Sequence, residues 1–531
     1  MTRRERGPLT THYAPHGMVC SVDHLASASG VAMLRRGGSA VDAAIAASAV
    51  LAVTTPHMCG MGGDLFALVH HQSGPPSALN ASGRAGSGAD LDRLRTEGHQ
   101  TMPFTEDIRS VPVPGCVDGW LSLHERFGRL PLPEVLAPAI GYADDGFVVS
   151  SMLADMIPLV IGRPGAGTFG DHSRTLRAGD RCRRPGVARA LTAIAGSGRR
   201  GFYEGEFGEG LVALGAGEYQ PEDLRRSHAD WVTPVGRRIW GHDVWTMPPN
   251  SQGYLILAAG IIAQELDLPT DPDDPRWPHL LVESSRHASF DRPEVLHEHV
   301  DPDWLLGPSR LASQRQAVDP ERAGQRQPPV DDGGTVYLCA VDNDHIGVSL
   351  IQSNASGFGS LLFEPNTGIN LHNRGLGFST DVAHPAAYGP GRRPPHTLSP
   401  ALVTTPDGAL RATVGSMGGD AQPQIVLQLL ARLLAGDQAP AAAVHAPRFV
   451  LANHGGGRGF DTWDDPDHVG VDVEADAPES WRVGLADRGH DVRIVRSANH
   501  AMGHAHVISV LAEGLGGAAD HRCGSGAAVG L

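Results

Sequence analysis

The sequence predicts an α+β fold, and three observations carry that prediction. An apolar fraction of 41% beside 19% charged residues, over 531 positions, is enough to build a large core in a soluble protein. The first part of the chain alternates helical stretches rich in small residues with an apolar strand. The last part reads instead as strand pairs joined by polar turns, as around Asp342-Asn343-Asp344-His345 and Pro406-Asp407-Gly408.

Residues 26–36 read as a helix that Gly37-Gly38 stop, and Ser39 caps a second helix beginning at Ala40. Ala43, Ala44, Ala46, Ala47 and Ala49 let that helix approach a sheet or another helix closely. A glycine-dense turn, Cys59-Gly60-Met61-Gly62-Gly63-Asp64, leads into a strand over 65–70. Further on, 118–126, 132–144 and 251–265 read as helices, and 243–247 as a strand stopped by Pro248-Pro249. Residues 301–330 turn polar, with no apolar periodicity, which predicts a linker ending at Asp331-Asp332-Gly333-Gly334. After it come strands over 335–341 and 346–352, then 401–404 and 410–414, and a helix over 424–434.

Composition excludes several functions. A net charge of −16 with no basic stripe argues against nucleic acid as a partner. The six cysteines are widely spaced with no C-x-x-C, which predicts free buried thiols. Residues 40–53 are too short and too mild for a membrane span. No apolar run follows the charged start, so no signal peptide is read and a cytoplasmic protein is expected. His70-His71, His297-Glu298-His299 and His504-Ala505-His506 lack a strong metal-ligand spacing, so no metal or cofactor is expected.

The sharpest chemical signal is Gly333-Gly334-Thr335 at the junction of linker and strand. A threonine freed at its own N-terminus carries nucleophile and base in one residue: the hydroxyl attacks, and an α-amine of pKa near ~8 takes its proton. Making that terminus requires cleavage of the Gly334–Thr335 peptide, and glycine tolerates a strained backbone there. By itself the pattern is also an ordinary loop before a β-former. Gly418-Gly419, at a strand-to-helix turn, could present backbone N–H groups to an oxyanion, or only make the turn. Arg84, in a loop of glycine and serine, suits a two-pronged grip on a carboxylate, though a surface arginine fits as well.

Together these blocks, in this order, resemble the γ-glutamyltransferase family of N-terminal nucleophile hydrolases. The resemblance runs from Gly37-Gly38-Ser39-Ala40-Val41-Asp42 and Pro56-His57-Met58-Cys59-Gly60 through the Arg84 loop and Met247-Pro248-Pro249. It continues through Gly334-Thr335, Leu398-Ser399-Pro400, Gly415 to Gly419, Ala446-Pro447-Arg448-Phe449 and the end of the chain. It implies a four-layer αββα sandwich, autocatalytic cleavage of a zymogen, and no cofactor. Residues 1–334 (with a linker over 301–334) and 335–531 would be two associated parts of one domain. It implies that Thr335 is the nucleophile, that Ser353 supplies a hydroxyl beside it, and that Gly418 and Gly419 form the oxyanion hole. Arg84 would hold the substrate carboxylate.

The match fails at the glutamyl-binding positions. The resemblance puts an Asn where Ala355 stands, and an ammonium-binding Asp where Gly377 stands, in a segment that here carries Arg374. His396-Thr397 replace a pair of serines. Asp420 can replace the missing carboxylate, or merely cap the following helix. Arg374, His396, Thr397 and Asp420 therefore join Arg84 as candidate substrate contacts. The departures resemble a branch with oxamate amidohydrolases and cephalosporin (glutaryl) acylases. The expected substrate is a small-molecule amide with an acidic acyl group, γ-glutamyl included, as in glutathione hydrolases; a homo-oligomer is compatible with the sequence. An unprocessed ligand-binding relative and a histidine-based metal hydrolase are the rivals. On this reading Arg84→Ala raises KM more than it reduces the cleaved fraction, and equal loss of both would count against a substrate role.

Overall fold

Strand alternation and helix amphipathy assign this chain to four layers. The computed structural model describes residues 10–324, 334–454 and 469–531. The strands of its two large sheets are β1 (His12–Ala14), β2 (Met18–Ser21), β3 (Asp64–His70), β4 (Ser77–Ala81), β5 (Asp230–Val232), β6 (Val235–Ile239) and β7 (His242–Thr246). They continue with β8 (Gly334–Val341), β9 (Gly347–Ala355), β10 (Ala401–Thr404), β11 (Leu410–Ser416), β12 (Ala505–Leu511), β13 (Gly514–Ala519) and β14 (Ala527–Gly530). One sheet runs β14-β2-β8-β9-β3-β4-β5, the other β1-β13-β12-β11-β10-β7-β6. Each takes strands from both sides of the Gly334–Thr335 peptide. The paired strands of these two sheets are antiparallel.

Because side chains alternate along a strand, each sheet has two apolar faces to cover. In β8, Val336, Leu338 and Ala340 pack with the helices α1 (His24–Arg35), α2 (Ala40–Thr54), α3 (Cys116–Phe127) and α4 (Leu132–Asp144). Tyr337, Cys339 and Val341 turn the other way, into a core shared with Phe66, Ile351, Leu402 and Ile508. On the far side Val403, Val414 and Val507 pack against α5 (Tyr254–Gln264), α6 (Arg276–Ser289) and, later in the chain, the helix Gln422–Leu430. The layers are therefore helix, sheet, sheet, helix, and the expected αββα sandwich is what forms.

The small residues of α2 do what small residues permit. The whole helix is buried, lying across α1 and against the sheet. Its start is a capping box: Ser39 Oγ accepts from Asp42 N–H (3.2 Å), and Asp42 accepts from Ser39 N–H (2.8 Å). Asp42 also accepts from the N–H groups of Arg129 (2.9 Å) and Leu130 (3.2 Å), which lets a carboxylate sit in this interior.

The expected elements recur with shifted ends. The strand expected over 346–352 reaches Ala355, and the helix expected over 424–434 leaves α-geometry after Leu430 for a wider π turn over Ala431–Ala435. The polar stretch 301–330 is less of a linker than its composition suggests. Its described part holds the helices Pro302–Leu305 and Pro308–Gln316, because Leu305, Leu306, Leu311 and Val318 are buried in the outer helical core, with Gln314 buried beside them. Residues 325–333 lie outside the described residues. All six cysteines are free and buried. Among the described residues, no helix is long and apolar enough to cross a membrane.

Burial also sets an acid limit. It pushes the rings of His57 and His490 down to about 3, and those of His228 and His506 down to about 4. The unfolded chain takes up these protons near pH ~6.5, so stability is full above that value and is lost as pH falls toward the folded values. The urea midpoint is expected to drop between about pH 7.5 and about pH 5. An unchanged midpoint would show that these rings do not resist protonation.

Candidate active site

Thr335 lies at the first turn of alternation in β8, so its side chain points with Tyr337 into the space between the sheets. It is fully buried, and its Oγ1 shares a hydrogen bond of 2.8 Å with Ser353 Oγ, itself buried. The pair is made by register: Thr335 stands opposite Ser353 in β9, and Ser353 stands opposite Asp64 in β3. One row of hydroxyl, hydroxyl and carboxylate thus crosses three strands on the inner face. The pairing shifts by one residue between Gly334 and Thr335, so the backbone is irregular at the peptide expected to break. Just beyond, Ala355 takes φ +72°, a left-handed conformation that strains an alanine, and its N–H donates to Ser353 Oγ (2.8 Å). Gly63 must be glycine, because a Cβ there would stand 2.2 Å from the Ser353 carbonyl oxygen.

Asp64 anchors the far end of the row. It accepts from Gly83 N–H (2.8 Å) and His396 Nε2 (2.9 Å), and His372 Nδ1 lies 3.3 Å away. Burial alone would raise its carboxyl, but His372 and His396 outweigh burial and hold it well below the usual carboxylate range. His396 Nδ1 accepts from Leu398 N–H (3.2 Å), and burial, reinforced by Arg374, pushes this ring down to about 3. Sequence reasoning placed His396 at the substrate; the structure puts it fully buried on Asp64 and not among the residues that line the cavity beside the Gly418–Gly419 turn.

The glycine turn sits at the end of β11. Gly418 and Gly419 have φ of +142° and +52°, both outside ordinary side-chain territory. The Gly418 carbonyl accepts from Ala421 N–H (2.8 Å). In a trans peptide the N–H points opposite the carbonyl, so Gly419 N–H is aimed away from the helix start. Gln252 Nε2 clamps the turn by donating to the carbonyls of Gly419 (3.1 Å) and Thr397 (3.0 Å).

A cavity of about 630 Å³ opens beside this turn, and its wall includes Thr397, Asp420, Arg374 and Arg292. Asp420 is buried, with its Oδ1 3.3 Å from the Arg292 guanidinium. Burial pushes Arg374 down to about 10, against the attraction of Asp64 and Asp420, so it stays charged at neutral pH. Three of the predicted contacts are therefore gathered on one wall. Arg84 is not among the lining residues: its guanidinium donates to Glu298 (3.0 Å), Asp230 (3.3 Å) and the Gly391 carbonyl (3.1 Å).

Asp64, Gln252, His372 and Arg292 escaped sequence reasoning. Asp64 ends a glycine-dense turn, a signal that could have marked it; the other three carry no local pattern. The histidine pairs adjacent in sequence form no metal-ligand group among the described residues. Distant ones do gather, as His279-Glu283-His490 and His445-Asp520-His521. In each group the carboxylate is already engaged, Glu283 by Arg286 (2.9 Å) and Asp520 by Arg448 (2.7 Å) and Arg522 (3.1 Å).

An αββα sandwich with a buried threonine hydroxyl on its inner face is the architecture of N-terminal nucleophile hydrolases. The gamma-glutamyltranspeptidase family model matches residues 26–530, and the chain belongs to that family. It is 35% identical to the oxamate amidohydrolase proenzyme of Klebsiella pneumoniae, over 98% of this chain and 99% of that one. It is also 35% identical to the glutathione hydrolase-like YwrD proenzyme of Bacillus subtilis, over 97% and 98%. The cephalosporin acylase structure from Bacillus halodurans superposes with a TM-score of 0.90 at 31% identity, covering 100% of this chain and 98% of that one.

Removing the Ser353 hydroxyl leaves Thr335 Oγ1 without the oxygen it is held against. Ser353→Ala is expected to slow cleavage at Gly334–Thr335 by ~10- to 100-fold, and Ser353→Thr to keep most of the rate. The time course of the cleaved fraction on a denaturing gel checks both; equal rates in all three proteins would remove Ser353 from the reaction.

Proposed function

We propose that this chain cleaves itself at Gly334–Thr335 and then hydrolyses amides of small acidic acyl groups, γ-glutamyl amides or oxamate-type and glutaryl-type amides. The observation that carries the reading is the buried Thr335 hydroxyl, held 2.8 Å from Ser353 at the second position of a strand that begins with Gly334. In cleavage, Thr335 Oγ1 attacks the Gly334 carbonyl carbon and its proton passes to the departing Thr335 nitrogen. The C–N bond breaks and an ester remains, which water hydrolyses to the Gly334 carboxylate and a free Thr335. In turnover the new α-amine takes the proton from Oγ1, which attacks the substrate amide. The oxyanion is met by the Gly418–Gly419 turn, and the amine leaves with the proton returned by the α-ammonium. Water then releases the acyl group. Nucleophile and base reside in one residue, so this route uses no cofactor.

Relatives named as proenzymes, and the shared fold over the full chain, support this reading. Interleaving of strands from both sides of the cut supports two fragments that stay together. Intact mass of the purified protein beside Thr335→Ala tests it. The expected result is fragments 1–334 and 335–531 with amide turnover in the parent, and an uncut, inactive mutant. A mutant that is still cut, or still turns over, would overturn it.

A further inference from the structure

The two halves of the proposed chemistry stand on different sheets. Thr335 belongs to β8, and the Gly418–Gly419 turn follows β11 of the facing sheet. The turn fixes its own donors. Ser416 Oγ donates to the Met417 carbonyl (2.6 Å) and Ala421 N–H to that of Gly418 (2.8 Å), so the opposed N–H groups of Gly418 and Gly419 are set in direction. A ψ of +24° at Gly418 puts the two nitrogens on the same side of its Cα–C bond, as a pair that can meet one anion. How far that pair stands from the Thr335 hydroxyl is left to the packing between the sheets.

Two contacts give the order in which the sheets face each other. At one end a Cβ on Gly347, the partner of Val341, would stand 2.5 Å from Leu410 Cδ2. Further along, a Cβ on Gly415 would stand 2.4 Å from Tyr337 Cε2 and 2.6 Å from its Cζ. Running from Val341 back to Tyr337 on β8 therefore matches running from Leu410 on to Gly415 on β11. Two residues further on β8 is Thr335, and the same distance further past β11 reaches Met417 and the glycine turn. Met417 itself buries its side chain with the core on the helical side of the nucleophile's sheet. Tyr337 on Gly415 is thus an inter-sheet contact one strand repeat away from the reacting hydroxyl.

The Tyr337 ring is held on every side. It is fully buried, lies at 15° to the His506 ring with centroids 6.0 Å apart, and its hydroxyl shares a hydrogen bond of 3.1 Å with Ser349 Oγ. His506 stands opposite Gly415 in β12, so the ring rests on two neighbouring strands of the facing sheet. A flat, stiff side chain seated on bare backbone fixes the width of the gap, because a close-packed interior passes any change in it to its neighbours.

We propose that Tyr337 is a positioning residue of this hydrolase: its ring, seated on Gly415, sets the separation between the Thr335 hydroxyl and the N–H groups of Gly418 and Gly419. The inference rests on the amide-hydrolase reading above and adds the residue that aligns its two halves. Oxyanion donors act at about 2.7–3.1 Å, and a misplacement of about 1 Å costs on the order of 100-fold in rate. Tyr337 and Gly415 do not line the cavity, so a change in the gap falls on kcat and not on KM.

The test uses the full chain and whichever p-nitroanilide, γ-glutamyl or glutaryl, the wild type hydrolyses, with kcat counted per cleaved chain. A purely structural role would lower the amount of cleaved chain but not its kcat. Tyr337→Leu is expected to lose ~10- to 100-fold in kcat with KM within ~3-fold, and Tyr337→Phe, which keeps the ring, to retain most of the rate. Gly415→Ala, whose methyl takes the place of the ring edge, is expected to lose kcat in the same way. Combining it with Tyr337→Leu gives that methyl room and is expected to recover at least ~5-fold over Gly415→Ala alone. Where Tyr337→Leu does not fold, Tyr337→Met fills the gap without fixing its width and serves in its place. An active wild type whose leucine or methionine variant keeps kcat within ~3-fold, or loses through KM instead, overturns this inference and leaves the amide-hydrolase reading standing. Equal loss in Tyr337→Phe would move the effect to the hydroxyl and overturn it as well. A wild type that hydrolyses neither anilide overturns both.

Discussion

Everything at the candidate site depends on one hydrogen bond between two buried hydroxyls, Thr335 Oγ1 and Ser353 Oγ. It exists because strand residues alternate. A slip of one residue in β8 would turn Thr335 into the helical layer where Val336 now packs and leave the inner face without that hydroxyl. Register is therefore the constraint that the fold must guarantee. It does so with apolar side chains on both faces of the sheet: Val336 and Leu338 outward, Tyr337 and Cys339 inward. Neither set can change faces without the other.

The same row explains why unusual residues collect here. Gly63 allows β3 to approach the Ser353 carbonyl, and Ala355 accepts a left-handed backbone so that its N–H can reach Ser353. Asp64 fills the position across from Ser353, and a buried carboxylate there needs partners; His396, His372 and Gly83 N–H provide them. His396 is thereby committed to holding the frame. The neighbouring cavity wall carries Arg374, Thr397 and Asp420, joined by Arg292 from the start of the short helix Arg292–Val295.

Membership in the gamma-glutamyltranspeptidase family, with likeness to both an oxamate amidohydrolase and a glutathione hydrolase-like protein, leaves the acyl group as the variable. The row of Thr335, Ser353 and Asp64 is a feature of three paired strands. The charges on the cavity wall are a local matter of a few side chains, Arg292, Glu294, Arg374 and Asp420.

Much was legible in sequence because it is local. Alternation in 335–341, the glycine turns, the Ser39 cap and the small residues of α2 each act within a few positions, so local spacing reports them faithfully. Over the described part of the polar stretch, 301–324, composition hid two short helices, since a few leucines suffice to bury a helix when a core lies ready to receive them. Gly334-Thr335 becomes a candidate nucleophile only in company with the other motif blocks in their order, and its partner row, the commitment of Arg84 to Glu298 and Asp230, and the pairing of Arg292 with Asp420 join residues far apart in the chain. Such pairs leave no periodic trace. Only the packing of two sheets and their helices decides which distant charges meet, and the energy of a buried charge depends on what it meets.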